Sequence, residues 1–176
     1  MAVDPLEYRR SVGRFATGVT VCTTVADGVH HAMTANSFTS VSLDPVLMLI
    51  SVDRTARFHE AVLEARAFGV NVLSREQEAL SREYATRGRP LDPARFADHP
   101  HVFGEHTGVI LFSESLATFE CVTHSVLPGG DHTLVVGEVV AIAQPADAPP
   151  LLYFNGDYWP GPAGPPHDAP PEAPAG

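Results

Sequence analysis

Four short stretches of this 176-residue chain carry side chains that an ordinary core or surface strand does not need. The first is Met33-Thr34-Ala35-Asn36-Ser37-Phe38-Thr39-Ser40-Val41-Ser42, in which small hydroxyl and amide groups occupy both faces of an extended segment. Such a strand suits a flat polar ligand whose ring edges need donors and acceptors close to the backbone. A solvent-exposed edge strand has the same composition, so the pattern alone leaves both readings open. The second stretch, Ser51-Val52-Asp53-Arg54-Thr55-Ala56-Arg57, joins an apolar strand to a helix start and brings a hydroxyl and two guanidinium groups. That combination suits a terminal phosphate through charge-assisted bonds and helix N–H groups, and equally a capped helix with solvated arginines. The third, Phe68-Gly69-Val70-Asn71, sets a Gly and an Asn in a strand that otherwise reads as core. Gly there permits close approach of a ligand and Asn can bond an imide-like edge; a β-bulge explains the pair as well. The fourth, Gly130-Asp131-His132-Thr133, puts His132 beside a turn, where it can stack on or hydrogen-bond a ring or serve the turn itself.

Composition removes several alternatives. All 11 basic residues are Arg, so Schiff-base chemistry and a phosphate-binding lysine are excluded, and any anion site must use Arg or backbone N–H groups. A net charge of −10 argues against a nucleic-acid partner. The sequence lacks GxGxxG, GxxxxGK, HExxH and GxSxG. His99, His101 and His106 fall in a polar stretch without thiolate or carboxylate support, so no metal site is expected. Cys22 and Cys121 sit in apolar alternating segments far from any CxxC pair and read as buried free thiols. The N-terminus has no apolar signal-like run and the longest aliphatic run, Val46 to Ile50, cannot span a bilayer, so a cytoplasmic protein without a membrane partner is expected.

The elements that must position the four stretches follow from capping and periodicity. Asp4-Pro5-Leu6-Glu7 opens a short helix that stops near Gly18. Val19 to Val25 and Ala32 to Val41 read as two antiparallel strands joined at Asp27-Gly28, and Val46 to Ile50 as a strand buried on both faces. A helix with Phe58, Val62 and Leu63 leads to a strand from Ala67 to Leu73, and Ser74 with Gln77 caps a helix reaching about Thr86. Arg87 to Thr107 reads as loop. Leu116 to Val126 and His132 to Ala143 alternate strongly and should pair as a hairpin, and Leu151 to Tyr158 closes the domain. Six or seven strands with two or three short helices and no βα alternation predict a mainly β fold, a small antiparallel barrel with peripheral helices. Residues 1–159 form that one domain; 160–176, with seven prolines in 17 residues, is expected to be a disordered tail.

Taken in order, Phe15-Ala-Thr-Gly-Val-Thr-Val21, Thr34-Ala-Asn-Ser-Phe-Thr-Ser-Val-Ser-Leu-Asp-Pro45, Ser51-Val-Asp-Arg54, Phe68-Gly-Val-Asn-Val-Leu-Ser74, Gly130-Asp-His-Thr-Leu134, Val136-Gly-Glu-Val139 and Leu152-Tyr-Phe-Asn-Gly156 resemble the flavin reductase family with the FMN-binding split-barrel fold. The resemblance spans roughly residues 6 to 159 and implies a Greek-key-like split β-barrel that passes hydride from NADH (or NADPH) to FMN or FAD and supplies reduced flavin to a partner monooxygenase. It implies that Thr34, Ala35, Asn36 and Ser37 contact the isoalloxazine, that Ser51, Val52, Asp53 and Arg54 meet the ribityl chain and phosphate, and that Phe68, Gly69, Val70 and Asn71 line the other side of the ring. His132 would lie near the nicotinamide. A homodimer is implied too, with Tyr153 and Trp159 completing the pocket or the subunit contact. A split-barrel flavoprotein holding its flavin as an oxidase or oxygenase, and a non-catalytic flavin-binding protein, are the alternatives. Ala32 stands where the family has Gly, and His30-His31 is an unusual pair just before it.

Overall fold

The computed structural model describes residues 3–86 and 93–159, so the expected tail at 160–176 lies outside the described residues. Asp4 accepts a hydrogen bond from the Leu6 N–H at 3.0 Å and opens α1 (Pro5–Val12). There follow β1 (Thr17–Gly18), β2 (Thr20–Ala26), β3 (Val29–Ala35), β4 (Thr39–Leu43), β5 (Val46–Asp53), α2 (Arg57–Ala65) and β6 (Ala67–Val72). A 3-10 turn at Arg75–Gln77 runs into α3 (Glu78–Ala85), where the Ser74 N–H donates to Gln77 Oε1 at 3.0 Å as the capping box requires. A second 3-10 turn, Pro93–Asp98, precedes β7 (His101–Phe103), β8 (Ile110–Phe112), β9 (Ala117–Gly129), β10 (His132–Ala143), β11 (Leu152–Phe154) and β12 (Asp157–Trp159).

Seven strands form one antiparallel sheet in the order β3-β2-β6-β9-β10-β5-β4. Two hairpins set its register. Asp27 and Gly28 both take positive φ, 48° and 75°, the turn that matches strand twist, and Gly130 at 73° turns β9 into β10. Met33 and Ala35 from one edge pack in the same core as Met48 and Ile50 from near the other, with Phe58 and Val62 of α2. The sheet therefore curls on itself, which is the antiparallel barrel expected. A second core, containing Val21, Leu73, Leu80, Tyr84, Phe96, Ile110 and Phe112, fills the space between the sheet and α3 with its adjoining segments.

Four expectations change. The leading helix stops at Val12 with Gly13 as its C-cap, and Gly18, where it was expected to stop, already belongs to β1. The continuously apolar Val46–Ile50 is not buried on both faces: along β5 buried and less buried residues alternate, because β5 lies beside the edge strand β4 and the second core does not reach it. The strands covered on both sides are β2 and β6, between the two cores. The run from Ala32 to Val41 is broken at Asn36–Phe38 into β3 and β4, where Ser37 Oγ donates to the Ser51 carbonyl at 2.9 Å and accepts from its N–H at 3.3 Å. Within the stretch read as loop, the described residues hold the 3-10 turn and β7; three-residue strands are too short to show a period.

Candidate functional site

A cavity of about 540 Å³ runs along the free edge of β3, within the range of about 300–1,000 Å³ usual for small-molecule sites. β3 is an edge strand, so alternate backbone N–H and C=O groups face this space rather than a neighbouring strand. The two readings left open for its composition are thus both met: it is an edge, and the edge forms the wall of a cavity. His30, His31, Ala32, Met33, Thr34, Ala35, Asn36 and Ser37 all line it.

The pleat of β3 divides the cavity into two lobes. On one side Met33 and Ala35 face the barrel core, and His31 lies within electrostatic reach of Arg57 and Glu64 on α2. This lobe is completed by Ser51, Asp53, Thr55, Ala56, Arg57, Asp131 and His132. On the other side Thr34 Oγ1 donates to the Ser81 carbonyl of α3 at 2.6 Å, Ala32 packs against the second core, and His30 meets Phe96 edge-to-face at 6.1 Å. Tyr84, Thr86, Arg95 and Phe96 wall this second lobe.

Three arginines, Arg9, Arg57 and Arg95, line the cavity beside Asp53 and Asp131, so its lining leans positive in a chain of net charge −10. Asp53 does not face the space as a free acid: its Oδ1 accepts from the Thr55 N–H at 2.8 Å and the Thr55 hydroxyl at 2.7 Å, which shapes the chain just before α2. Burial lowers the pKa of both His30 and His31, helped by the neighbouring His101 and His31 for the first and by Arg57, against Glu64, for the second, so both rings are shifted towards the neutral form. His132 pairs through Nδ1 with Asp131 Oδ1 at 2.8 Å, which fixes the ring and leaves Nε2 as its other polar atom. His132 sits opposite Asp53 in the β10–β5 ladder, and the Arg54 N–H donates to the Asp131 carbonyl at 3.0 Å, so the turn is locked to the start of α2.

Of the residues singled out in the sequence, Thr34, Ala35, Asn36, Ser37, Ser51, Asp53 and His132 meet at this cavity. The others do not line it. Val52 is fully buried with its side chain in the barrel core, as strand alternation between Ser51 and Asp53 demands. Arg54 is exposed and the cavity is lined instead by Arg57. Phe68, Val70 and Asn71 are fully buried in the central strand β6. Asn71 is saturated within the protein, its Nδ2 donating to the Val21 carbonyl at 3.0 Å and its Oδ1 accepting from the Phe112 N–H at 2.7 Å. Gly69 admits side chains, not a ligand: a Cβ there would lie 2.6 Å from Thr23 Oγ1 and 2.9 Å from Val109 Cγ2. Tyr153 packs against the second core and stacks edge-on with Tyr158, while Trp159 is about half exposed; neither lines the cavity.

Sequence reasoning missed Tyr84, Arg95 and Phe96, because they lie at a helix end and in an aperiodic segment. The His30-His31 pair was visible as an oddity without a role.

The lining fits a flavin: a slot along a polar strand edge for a flat ring, the Ser51 hydroxyl beside it, and Arg57 at the start of a helix for a phosphate. Comparison with known proteins agrees with that class. Residues 12–162 match the family model described as flavin reductase like domain, and the chain belongs to that family. An NADH-dependent FAD reductase of Streptomyces globisporus is 39% identical over 155 residues, covering 88% of this chain and 85% of that protein. The reductase subunit of a flavin-dependent monooxygenase from Rhodococcus jostii is 35% identical, covering 89% and 78%. Among solved structures, the flavin reductase component of a bacterial two-component tryptophan halogenase superposes with a TM-score of 0.84 at 41% identity, covering 89% of this chain and 97% of that one. The Streptomyces globisporus NADH:FAD oxidoreductase, solved in complex with NAD and FAD fragments, gives 0.84 at 36% identity, covering 93% and 98%. The fold is that of the split-barrel flavin reductases.

Proposed function

We propose that this chain is an NADH-dependent flavin reductase that works on FMN or FAD and supplies the reduced flavin to a partner monooxygenase. The observation that carries the reading is the cavity along the free edge of β3, which places the segment Thr34 to Ser37 opposite Ser51, Arg57 and His132. Family membership and near-full-length relatives described as reductases support it. When bound, the nicotinamide and flavin supply the chemistry themselves, hydride passing from nicotinamide C4 to flavin N5. The protein holds and orients. Backbone groups of β3 face the polar edges of the ring, Ser37 and Ser51 hold the floor through their mutual hydrogen bonds, and Arg57 with the start of α2 takes the phosphate. His132, oriented by Asp131, positions the nicotinamide at the mouth of the same lobe. The protein does not need a nucleophile.

The chain also acts as a homodimer in this reading. Val41, Leu43 and Val46 on β4 and β5, with Val122, Val126, Leu127, Val140 and Ile142 on β9 and β10, are exposed apolar side chains of one sheet, and Leu6, Val12 and Phe15 lie exposed on and just after α1. Exposed apolar side chains in this number support a subunit contact.

The test is NADH oxidation by purified protein with FMN, FAD or riboflavin at substoichiometric and excess concentration, with and without oxygen. Anaerobic accumulation of reduced flavin in excess over enzyme supports the reductase. Reduction of a single equivalent makes flavin a fixed prosthetic group, and binding without NADH oxidation a storage role; either outcome rejects the proposal.

A further inference from the structure

Holding a phosphate at Arg57 and a ring at His132 requires the first turn of α2 and the start of β10 to stand at a set separation. The helix does not fix that separation through its own cap. Its N-cap is Ala56, which has no side chain to accept from the first-turn N–H groups, and Asp53 with Thr55 shapes only the chain before it. Phe58 and Val62 seat the helix in the barrel core, but apolar contact is non-directional and leaves the approach of the helix start to β10 unspecified. Hydrogen bonds specify it. The Arg54 N–H donates to the Asp131 carbonyl at 3.0 Å, from the chain just before the helix. A second bond comes from the helix itself, where His59 Nε2 lies 2.8 Å from Thr133 Oγ1 across 74 positions of sequence.

The two partners of that bond are neighbours of the two working residues. His59 is two positions beyond Arg57, and Thr133 follows His132. Strand alternation turns Thr133 inward, where it is 6% exposed, while His132 faces the cavity. Neither His59 nor Thr133 lines the cavity, so the pair acts through its neighbours. The bond stands in either neutral tautomer, because the hydroxyl donates to a bare Nε2 or accepts from an Nε2–H. We propose that His59 is a positioning residue: through Thr133 it ties the helix start that carries Arg57 to the strand that carries His132, and so sets the span between them. The proposal rests on the reductase reading, which gives those two residues their ligands.

Comparing FMN with riboflavin separates this role from a general contribution to stability. Both carry the same ring and ribityl chain, and only FMN has a phosphate for Arg57. In fluorescence titrations, His59→Leu and Thr133→Val should each weaken FMN about tenfold and riboflavin less than about twofold. The double variant should lose no more than either single one, because both remove the same bond. Thr133→Ser keeps the hydroxyl and should keep the FMN affinity of the unaltered chain. The rate of flavin reduction by NADH, followed by stopped flow at saturating flavin and NADH, should fall about tenfold in His59→Leu and Thr133→Val. Thr133→Val is nearly isosteric, so it decides the matter where His59→Leu disturbs the fold. A lower melting temperature with unchanged flavin affinities, equal weakening of FMN and riboflavin, additive losses in the double variant, or loss of affinity in Thr133→Ser overturns the proposal. NADH oxidation by the unaltered chain is measured alongside. Its absence with flavin binding intact counts against the reductase reading, while the FMN–riboflavin comparison still decides on His59; absence of FMN binding by the unaltered chain overturns both.

Discussion

Asn71 shows why a residue type in a motif does not reveal which way it faces. Its amide could serve a ligand edge or a backbone, and burial decides: both polar atoms are spent on the Val21 carbonyl and the Phe112 N–H, stitching β2, β6 and β8 together behind the barrel. Asn71→Ala should therefore cost about 2–4 kcal/mol by stranding buried partners, lowering the melting temperature by several degrees. Flavin affinity per folded molecule should stay the same, and a flavin titration at a temperature where the variant is folded checks it; selective loss of flavin binding would return Asn71 to the site. His132 is the opposite case, since it lines the cavity and is oriented through Asp131. His132→Ala should raise the KM for NADH or slow hydride transfer while leaving flavin affinity nearly intact, measured by stopped-flow reduction beside flavin titration. Cys22 and Cys121 follow the sequence reading more simply: both are fully buried free thiols whose pKa is pushed up to about 12, mainly by burial.

At the level of elements, what was legible was what local chemistry encodes. The capping box at Ser74, the Asp4 cap, the Asp27-Gly28 turn and the long β9–β10 hairpin are all written in short-range patterns and all formed. What was not legible depended on neighbours distant in sequence. Whether β5 or β6 is covered on both faces is set by where the second core lies, and the walls at Tyr84 and Phe96 depend on α3 packing against β3. Strand β3 carries one consequence of that packing. Its adjacent His30 and His31 are held with lowered pKa by burial and by neighbouring positive groups. The unfolded chain, where histidine titrates near pH 6.5, then binds more protons than the folded one at and below that pH, so these residues make stability fall as pH drops through about 6.5. The melting temperature should decrease between pH 7.5 and pH 5.5, with a shallower decrease in the His30→Gln/His31→Gln double variant. An unchanged slope in that variant would assign the effect to other groups.

At the scale of the whole molecule, the described residues leave several large apolar side chains of the seven-stranded sheet exposed. Leu43 is 85% exposed at the turn end of β4 and Ile142 59% near the end of β10, and Phe15 just beyond α1 is 74% exposed. Strand β5 reads in sequence as continuously apolar, with Met48, Ile50 and Val52 filling the barrel core while Leu47 and Leu49 between them are only partly buried, an apolar surface that the proposed subunit contact would use. Burying such residues on association contributes roughly 25 cal/mol per Å² of apolar area removed from water, so a handful of these side chains outweighs a surface ion pair several-fold. Introducing charge at these exposed apolar positions should therefore separate the subunits of the proposed dimer while leaving the barrel folded. Leu43→Asp combined with Ile142→Asp is expected to shift the protein from dimer to monomer in analytical ultracentrifugation, with an unchanged far-ultraviolet circular dichroism spectrum. If the unaltered chain sediments as a monomer at micromolar concentration, or the double variant remains a dimer, these side chains do not form the subunit contact.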